Sequence, residues 1–404
     1  MSEETKKGSE NFALKMAQKI TFPRLCGTEG EKKAQKIIRN ELEKIGAEYD
    51  EDPVPWALTS WNILTPLLCF VGIITLAISV FYFVFTRPQQ TYLGIIIVFI
   101  GILIFAYPII SRKGYYWGAD SHEDSLNFIG KISPKSQTTH ENHKLLSFTC
   151  HYDTKSQSVA SLWRVVFIGL AGTGILAWLV FSLIVQVDTV MNGQTTRLYM
   201  IGKIGTTVAF VIATIGALGT ASIRVGNKSP GALDNASGVG ICMALAKYFQ
   251  NNPLDDTEIH IGIFTGEELG LYGSQEYVKK YEDQYQKRNG INLNFDGVKT
   301  PIKYLTRIGS VDLSEKKYQY YYDLLVEASK QSSVEIKPFS IPFGVWTDSL
   351  PFAKRGFCST SIISLMGASY VHRKGDSLDK LEAKALDDCT DLAIKFAEIY
   401  DEFE

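Results

Sequence analysis

Residues 231–240 read GALDNASGVG, and this stretch decides how the rest of the chain must fold. A single acidic residue, Asp234, stands among small residues directly before a segment with helical spacing, GVGICMALAKYF. Because these neighbours are small, other ligand side chains and a substrate can approach the Asp234 carboxylate closely. We therefore predict that Asp234 bridges two metal ions and that four other segments supply the remaining ligands.

The other candidate ligands follow apolar, strand-like runs. They are His151 in HYD, Glu268 in GEE, Asp296 in NFD and His372 in YVH. Carboxylates combined with a few imidazoles suit zinc, with Mn²⁺ or Co²⁺ as substitutes. The sequence thus predicts two Zn²⁺ ions that together polarise a carbonyl and activate a water molecule.

Two further acidic residues have predicted roles beside these ligands. Side chains at i and i+2 of an extended segment share a face, so Asp153 can accept the second imidazole N–H of His151. Adjacent carboxylates repel each other unless a cation lies between them or one is protonated. We therefore assign Glu268 as the metal ligand and Glu267 as the general base.

Apolar strand-like runs alternate with amphipathic helical patterns along the soluble parts of the chain. The predicted helices include EKKAQKIIRNELEKIGA, ending near a C-cap at Gly46, and a closing helix over residues 380–403. The predicted strands cover residues 125–132, 145–150, 258–264, 291–296, 302–307 and 359–364. This alternation predicts an α/β fold with its site beyond the strand ends.

Four long stretches are apolar and nearly uncharged, at about residues 61–86, 91–111, 165–187 and 204–223. A helix that spans a bilayer needs about 20 apolar residues, so we predict four spans arranged as two hairpins. Gly205, Gly216 and Gly219 in the fourth stretch predict close packing of neighbouring helices. The predicted lipid partner is therefore the bilayer itself, and the protein is expected to be a multi-pass membrane protein.

The order of ligands and spans constrains the topology. His151 precedes the second hairpin and Asp234 follows it, so both can bind one metal only if the chain returns to the side it left. An even number of spans achieves this return. We therefore expect one soluble domain, with its site near the membrane surface, and these boundaries: residues 1–60, hairpin 61–111, residues 112–160 with two strands and HxD, hairpin 161–224, and residues 225–404 with the other ligands and the base.

Charge and cysteine usage indicate the compartment and exclude one class of partner. The formal net charge is −2, from 41 basic and 43 acidic residues, so no basic surface for nucleic acid is expected. The domain-side ends of the spans carry more basic residues than the far loops, which places the domain in the cytoplasm. The first group comprises Arg112, Lys113, Lys155, Arg164, Arg224 and Lys228, and the second comprises Arg87, Arg197 and Lys203. Six cysteines without close pairs agree with a reducing compartment.

The order HxD, DNxSG, GEELGLYGS, NFD and a late histidine resembles the M28 family of metallopeptidases. RLCGTEG near the N-terminus, TDSLPFAKRG and HRKGDSLDKL resemble further family segments, with Asp376 in the usual position. The resemblance implies a mixed sheet flanked by helices. It implies one ion held by His151, Asp234 and Asp296, and another held by Asp234, Glu268 and His372. It also implies Glu267 as base, Asp153 as histidine partner, Tyr370 as a stabiliser of the tetrahedral intermediate, and a cis peptide at Asp234–Asn235.

The sequence therefore predicts a membrane-anchored di-zinc exopeptidase, foremost an aminopeptidase that removes N-terminal residues from peptide substrates. A water molecule activated by the metal ions would be the nucleophile, with Glu267 as general base. Three alternatives stay open on the same fold: a glutaminyl cyclase, a carboxypeptidase, and a receptor or scaffold without catalytic activity. Residue preference and oligomeric state are left open.

Overall fold

A computed structural model of the protein describes residues 12–57, 62, 65–85, 124–136, 143–193, 196–307, 310–340, 346–367 and 369–403. These residues fall into two compact units. The first comprises Met1–Ala57, Ala119–Ser156 and Gly226–Glu404, and the second comprises Leu58–Gly118 and Gln157–Val225. The predicted second span at 91–111 lies outside the described residues.

The first unit is an α/β unit in which strands alternate with helices. Its helices are α1 (Phe12–Ile20), α2 (Glu29–Ile45), α6 (Ser237–Asn251), α7 (Glu267–Gly270), α8 (Tyr272–Lys287), α9 (Gln319–Ser332), α10 (Ser349–Lys354) and α11 (Ala383–Glu402). Its sheet contains β1 (Glu48–Pro53), β2 (Leu126–Ile132), β3 (Lys144–His151), β6 (Thr257–Phe264), β7 (Ile291–Asp296), β8 (Lys303–Leu305), β9 (Lys337–Phe339) and β10 (Cys358–Ile363). Short two-residue strands β4 (Ser156–Gln157) and β5 (Val225–Gly226) pair separately.

The eight strands form one mixed sheet in the order β1-β2-β6-β3-β7-β10-β8-β9. The four central strands β6, β3, β7 and β10 run parallel to one another, whereas β2 and β8 join them antiparallel. The carboxyl ends of the central strands therefore meet at one edge, where α/β proteins bind their ligands. The predicted mixed α/β sheet flanked by helices is confirmed; the sequence analysis missed the two outer strands β1 and β9.

Helix α2 shows how the sequence determines one of these elements. Ala34, Ile38 and Leu42 recur at helical spacing and are fully buried against the core, while the opposite face is rich in lysine and glutamate. Gly46 ends the helix in the left-handed conformation, with φ of 75°, and its N–H donates to the carbonyls of Leu42 and Glu43. The predicted glycine C-cap is thereby confirmed.

One face of the central strands carries a row of buried polar side chains that leads to the strand ends. Thr149 of β3 donates to the side-chain oxygen of Asn294 of β7 over 3.0 Å, and Asn294 in turn donates to Ser361 of β10 over 2.9 Å. Because side chains alternate along a strand, His151 and Asp296 are the next residues on this same face. The polar row thus continues into the candidate ligands.

The described part of the second unit consists of helices α3 (Thr65–Phe85), α4 (Ser161–Asn192) and α5 (Arg197–Ala221). Leu162–Asn192 and Arg197–Ala221 are long and apolar enough to cross a membrane, by length and composition alone. Only 22% and 28% of their most apolar windows are buried, which is unusual for core helices of a soluble protein. The four-span arrangement and the predicted domain boundaries stay predictions.

Helices α4 and α5 pack closely through glycines. A β-carbon on Gly216 would lie 2.2 Å from the backbone nitrogen of Ala171. A β-carbon on Gly219 would lie 2.3 Å from the Phe167 ring, and one on Gly205 would lie 2.4 Å from the Phe181 ring. The prediction that these three glycines permit close helix packing is confirmed.

Candidate metal centre

All five predicted ligands reach the carboxyl-terminal edge of the central strands. His151 is the last residue of β3 and Asp296 the last of β7, while Glu268 lies just beyond β6 in α7. Asp234 lies in an irregular turn over Ala232–Ala236 directly before α6, and His372 lies in the loop that follows β10. Four separate chain segments and one turn therefore converge on one place.

The first triad consists of His151, Asp234 and Asp296. Nε2 of His151 lies 3.2 Å from Oδ1 of Asp234 and 3.6 Å from Oδ1 of Asp296. The His151 side chain is 1% exposed, and its Nε2 has no hydrogen-bond partner among the described residues. A buried ring nitrogen that faces two carboxylates in this way fits a divalent cation better than a structural hydrogen bond.

The second triad consists of Asp234, Glu268 and His372. Nε2 of His372 lies 3.0 Å from Oδ2 of Asp234 and 3.0 Å from Oε2 of Glu268. The two oxygens of Asp234 thus face different triads, one on each side. In each triad the candidate ligand atoms lie within 4.8 Å of one another, so each donor set fits one metal ion.

Asp153 connects the first triad to the Glu267–Glu268 pair. Nδ1 of His151 lies 3.2 Å from the backbone carbonyl oxygen of Asp153 and 3.4 Å from its carboxylate oxygen Oδ1, so this residue orients the imidazole ring. The two carboxylate oxygens of Asp153 accept the backbone N–H groups of Glu267 and Glu268, each over 3.2 Å. The fully buried Asp153 therefore fixes both the His151 ring and the start of α7.

Lys155 is a feature of the centre that the sequence analysis did not find. Its ammonium lies 2.8 Å from Oε2 of Glu268 and donates to the Glu268 carbonyl over 2.9 Å. Burial by itself would raise the pKa of Glu268, but the neighbouring charges of His372 and Lys155 lower it to about 2. A lysine two residues beyond HxD carries no ligand signature, and only the fold shows that it pairs with Glu268.

Glu267 has the opposite electrostatic environment, although it adjoins Glu268 in sequence. Burial raises its pKa well above the ordinary value, and the carboxylates of Glu268, Asp296 and Asp348 raise it further, while His151 opposes the rise. Oε2 of Glu267 lies 3.8 Å from Nε2 of His151, so its carboxyl group borders the first triad. Bound dications would favour its ionised form.

Asp348 is a second residue whose role the sequence analysis missed. It is fully buried, and neither carboxylate oxygen has a hydrogen-bond partner among the described residues. Burial raises its pKa to about 7, with Asp296 and Asp153 adding to the rise and His151 opposing it. TDSLPFAKRG resembles a family segment, but the motif alone does not indicate that Asp348 shares the field of the metal ligands.

Two predictions that rest on the family resemblance concern the surroundings of the ligands. The Asp234–Asn235 peptide is cis, as predicted. The Tyr370 hydroxyl is buried and has no hydrogen-bond partner in the described part of the chain, with the Lys380 ammonium 5.4 Å from the centre of its ring. The role of Tyr370 in stabilising an intermediate stays a prediction.

The mixed sheet and the donor sets at its edge define a protein of the zinc aminopeptidase fold. Residues 214–397 match the model of peptidase family M28, and this range contains Asp234, Glu267, Glu268, Asp296 and His372. This part of the chain is therefore similar to peptidase family M28. His151 and Asp153 precede the matched range.

One similar protein of known sequence is the aminopeptidase YwaD of Bacillus subtilis. The two chains are 28% identical over 169 residues, which is 41% of this chain and 36% of YwaD. The match thus spans about a third of the length of that relative.

Solved structures of two kinds share the fold. A zinc aminopeptidase from Bacillus subtilis is 14% identical with a TM-score of 0.53, covering 98% of this chain and 94% of that one. A glutaminyl cyclase from an Acidobacteriales bacterium is 15% identical with a TM-score of 0.54, covering 98% and 95%. At these identities the likeness concerns the fold alone.

Proposed function

We propose that the protein is a membrane-anchored metallo-exopeptidase that binds two Zn²⁺ ions and removes N-terminal residues from peptides. The observation that carries this proposal is the placement of the two Asp234 oxygens, 3.2 Å from His151 Nε2 and 3.0 Å from His372 Nε2. A carboxylate shared by two donor sets is the simplest way to hold two ions close together. Mn²⁺ or Co²⁺ are expected to substitute for zinc.

The residues around the triads have distinct proposed roles. When bound, the two ions would polarise the scissile carbonyl and make water acidic enough to act as nucleophile near neutral pH. Glu267 would accept a proton from the attacking water and pass it to the leaving amine. Asp153 would hold the His151 ring in the orientation that directs Nε2 towards Asp234 and Asp296.

A glutaminyl cyclase is the second candidate function, because a solved cyclase shares the fold at the same level as the aminopeptidases. The two candidates differ in what they release. An exopeptidase hydrolyses the first peptide bond, whereas a cyclase converts N-terminal glutamine into a ring with loss of ammonia. The coverage and identity of the two solved structures do not favour one reaction over the other, so the reaction products must decide.

The deciding experiment combines metal content with a panel of peptides that share one sequence. The full-length chain in detergent is assayed on a free peptide, an N-acetylated peptide, a C-terminal amide and a peptide with N-terminal glutamine. We expect two zinc ions per chain and release of the first residue from every peptide except the N-acetylated one. Cyclised glutamine with one ion per chain favours the cyclase, and attack on the acetylated peptide favours a carboxypeptidase. Full metal loading without any product favours a scaffold.

The membrane anchor is proposed from the second unit. Helices α4 and α5 expose large apolar side chains along their length, including Leu176, Leu183 and Val208, which are 63%, 60% and 52% exposed. Such surfaces are stable in lipid and costly in water. With the predicted span at residues 91–111 included, we propose four spans and a cytoplasmic domain that carries the site.

Membrane insertion and orientation have separate tests. Carbonate washing of membranes that contain the full chain should leave the protein in the pellet. Cysteines are introduced singly by Gly193→Cys, between α4 and α5, and by Lys395→Cys on α11. The two cysteines should then be labelled from opposite faces of the membrane. Extraction by carbonate contradicts the anchor, and labelling of both cysteines from the same face contradicts the hairpin.

A further inference from the structure

The turn that carries the shared ligand Asp234 is held on both edges by buried charged side chains. Arg24 is fully buried and lies on the carbonyl edge of this turn. Its Nη1 donates to the Pro230 carbonyl over 2.7 Å, and its Nη2 donates to the Gly231 carbonyl over 3.0 Å. A buried guanidinium is stable only when its N–H groups are satisfied, so these bonds restrict where the turn can lie.

Asp376 lies on the amide edge of the same turn and is also fully buried. Its Oδ1 accepts the N–H of Leu233 over 2.7 Å, and its Oδ2 accepts the N–H of Asp234 over 3.1 Å. Its backbone carbonyl accepts the N–H of Ala232 over 3.2 Å. Hydrogen bonds from amides to a carboxylate are charge-assisted and stronger than neutral ones.

Each of these two residues also connects the turn to one histidine ligand. Arg24 Nε donates to the carbonyl of Tyr152, which follows His151 directly, and Arg24 N donates to Oγ1 of Thr154 over 2.9 Å. Asp376 lies four residues after His372, and its N–H donates to the Arg373 carbonyl over 3.1 Å. The Asp234 turn is therefore coupled to the His151 segment on one side and to the His372 segment on the other.

We propose that Arg24 and Asp376 are a pair of positioning residues that hold the Asp234 turn between the two histidine segments, so that one carboxylate serves both triads. The proposal rests on the two-ion site proposed above, and not on the reaction that the site catalyses. It has a specific consequence. Because Asp234 is shared, a substitution of Arg24 or Asp376 must weaken the binding of both metal ions. A substitution of a residue that supports an unshared ligand must weaken the binding of one ion only.

The test measures metal affinity in the full-length, zinc-loaded chain in detergent. Zinc is withdrawn with a chelator of known affinity, and the ions that stay bound per chain give two binding constants. We expect Arg24→Lys and Asp376→Asn each to lower both constants about 10–100-fold, the usual effect of losing an outer partner of a metal ligand. The double variant should lose less than the product of the single effects, because both residues hold the same turn.

Two further variants serve as matched controls. Arg288 is another buried guanidinium that donates to backbone carbonyls, those of His143 and Lys144, at the far end of β3. Arg288→Lys should leave both constants within about threefold of the parent. Lys155→Gln disturbs Glu268, a ligand of one triad only, and should change one constant.

A spectroscopic readout separates positioning from a general loss of stability. In the Mn²⁺-loaded chain, two ions bridged by one carboxylate give a spin-coupled signal. Arg24→Lys and Asp376→Asn should reduce this signal at metal concentrations that saturate both sites, while Arg288→Lys should preserve it. If Arg24→Lys does not fold, the zinc constants and the Mn²⁺ signal of Asp376→Asn alone test the proposal.

The possible results separate this inference from the proposed function. It is overturned if both variants bind two ions as the parent does, if either weakens only one ion, or if the double variant shows the full product of the single effects. A parent chain that takes up a single ion also overturns it. Release of N-terminal residues is measured separately, so peptidase activity can hold when the positioning pair fails, and the reverse.

Discussion

The two triads that share Asp234 have differently charged neighbours, although each has one histidine and one further carboxylate. We call the triad with His151 and Asp296 the His151 side, and the triad with Glu268 and His372 the His372 side. On the His151 side, Glu267 and Asp348 add acidic groups beside Asp296, and the pKa of Glu267 is raised. On the His372 side, Lys155 lies 2.8 Å from Glu268, whose pKa is lowered to about 2. Two adjacent glutamates of one motif are thus driven in opposite directions by their neighbours.

This difference suggests how a pair of identical side chains acquires two roles. A carboxylate that stays ionised over a wide pH range is suited to hold a cation, and one with a raised pKa is suited to exchange protons near neutral pH. The difference arises from side chains far away in sequence, not from the GEE motif itself. Substitutions on each side of Asp234 test this difference.

Asp234→Asn should have the largest effect, because it removes the one ligand that both sides share. We expect the affinity for both ions to fall by more than about 100-fold, since even loss of an outer partner costs 10–100-fold. Asp296→Asn and Glu268→Gln should each remove one ion and keep the other. Metal analysis after dialysis measures all three variants, and loss of only one ion in Asp234→Asn would contradict a shared ligand.

Glu267→Gln should separate proton transfer from metal binding. Loss of a general base typically lowers turnover about 10²–10⁴-fold, while both ions should be retained because Glu267 belongs to neither triad. Turnover is measured on aminoacyl substrates, with zinc per chain measured in parallel. Glu268→Gln is the control, since it should lose an ion as well as turnover. Undiminished turnover in Glu267→Gln would refute the assignment of the base.

Asp153→Asn should weaken zinc binding more on the His151 side than on the His372 side. An amide in place of the carboxylate can no longer accept the two N–H groups of α7 and stay opposite Nδ1 of His151. We expect the zinc constant of the His151 side to fall about 10–100-fold and the other to fall less, because Asp153 also accepts the N–H of Glu268. Chelator competition measures both constants. An equal loss at both ions would show that the two sides are not independent.

The sequence was sufficient to predict which candidate ligands the fold brings together, because several of them follow strands. Alternation in SFTCH and NLNFD places His151 and Asp296 on one face of the sheet, and the fold brings them together as expected. Lys155, Asp348 and Arg24 escaped prediction because their importance depends on which segments the sheet order brings side by side. Arg24, for example, meets the Asp234 turn across more than 200 residues of chain.

The helical unit shows a similar limit. Length and composition predict helices at α4 and α5, and small residues such as Gly216 predict their close approach, because both properties are local. The outer strands β1 and β9 were missed for the opposite reason. EYDEDP is acidic and KPF is short, and neither has the apolar alternation of an inner strand.

The smallest expected effect concerns the pH range over which the Glu268 carboxylate stays ionised. Because the pKa of Glu268 is lowered from 4.5 to about 2, its ionised form stabilises the fold fully above about pH 4.5, and this contribution is lost as the pH falls towards 2. Lys155→Gln removes a positive charge, so the pKa of Glu268 should rise towards 4.5, and its contribution should become smaller and be lost completely at a higher pH. We expect the acid-unfolding midpoint of the chelator-treated chain to rise by about one pH unit or less.

Circular dichroism from pH 7 to pH 2 measures this midpoint. Lys384→Gln is the control, because the Lys384 side chain is 82% exposed and pairs only with Asp388 among its described ion pairs. Equal midpoints for the two variants would mean that Lys155 does not cause the contrast between the adjacent glutamates, and that His372 alone keeps Glu268 ionised.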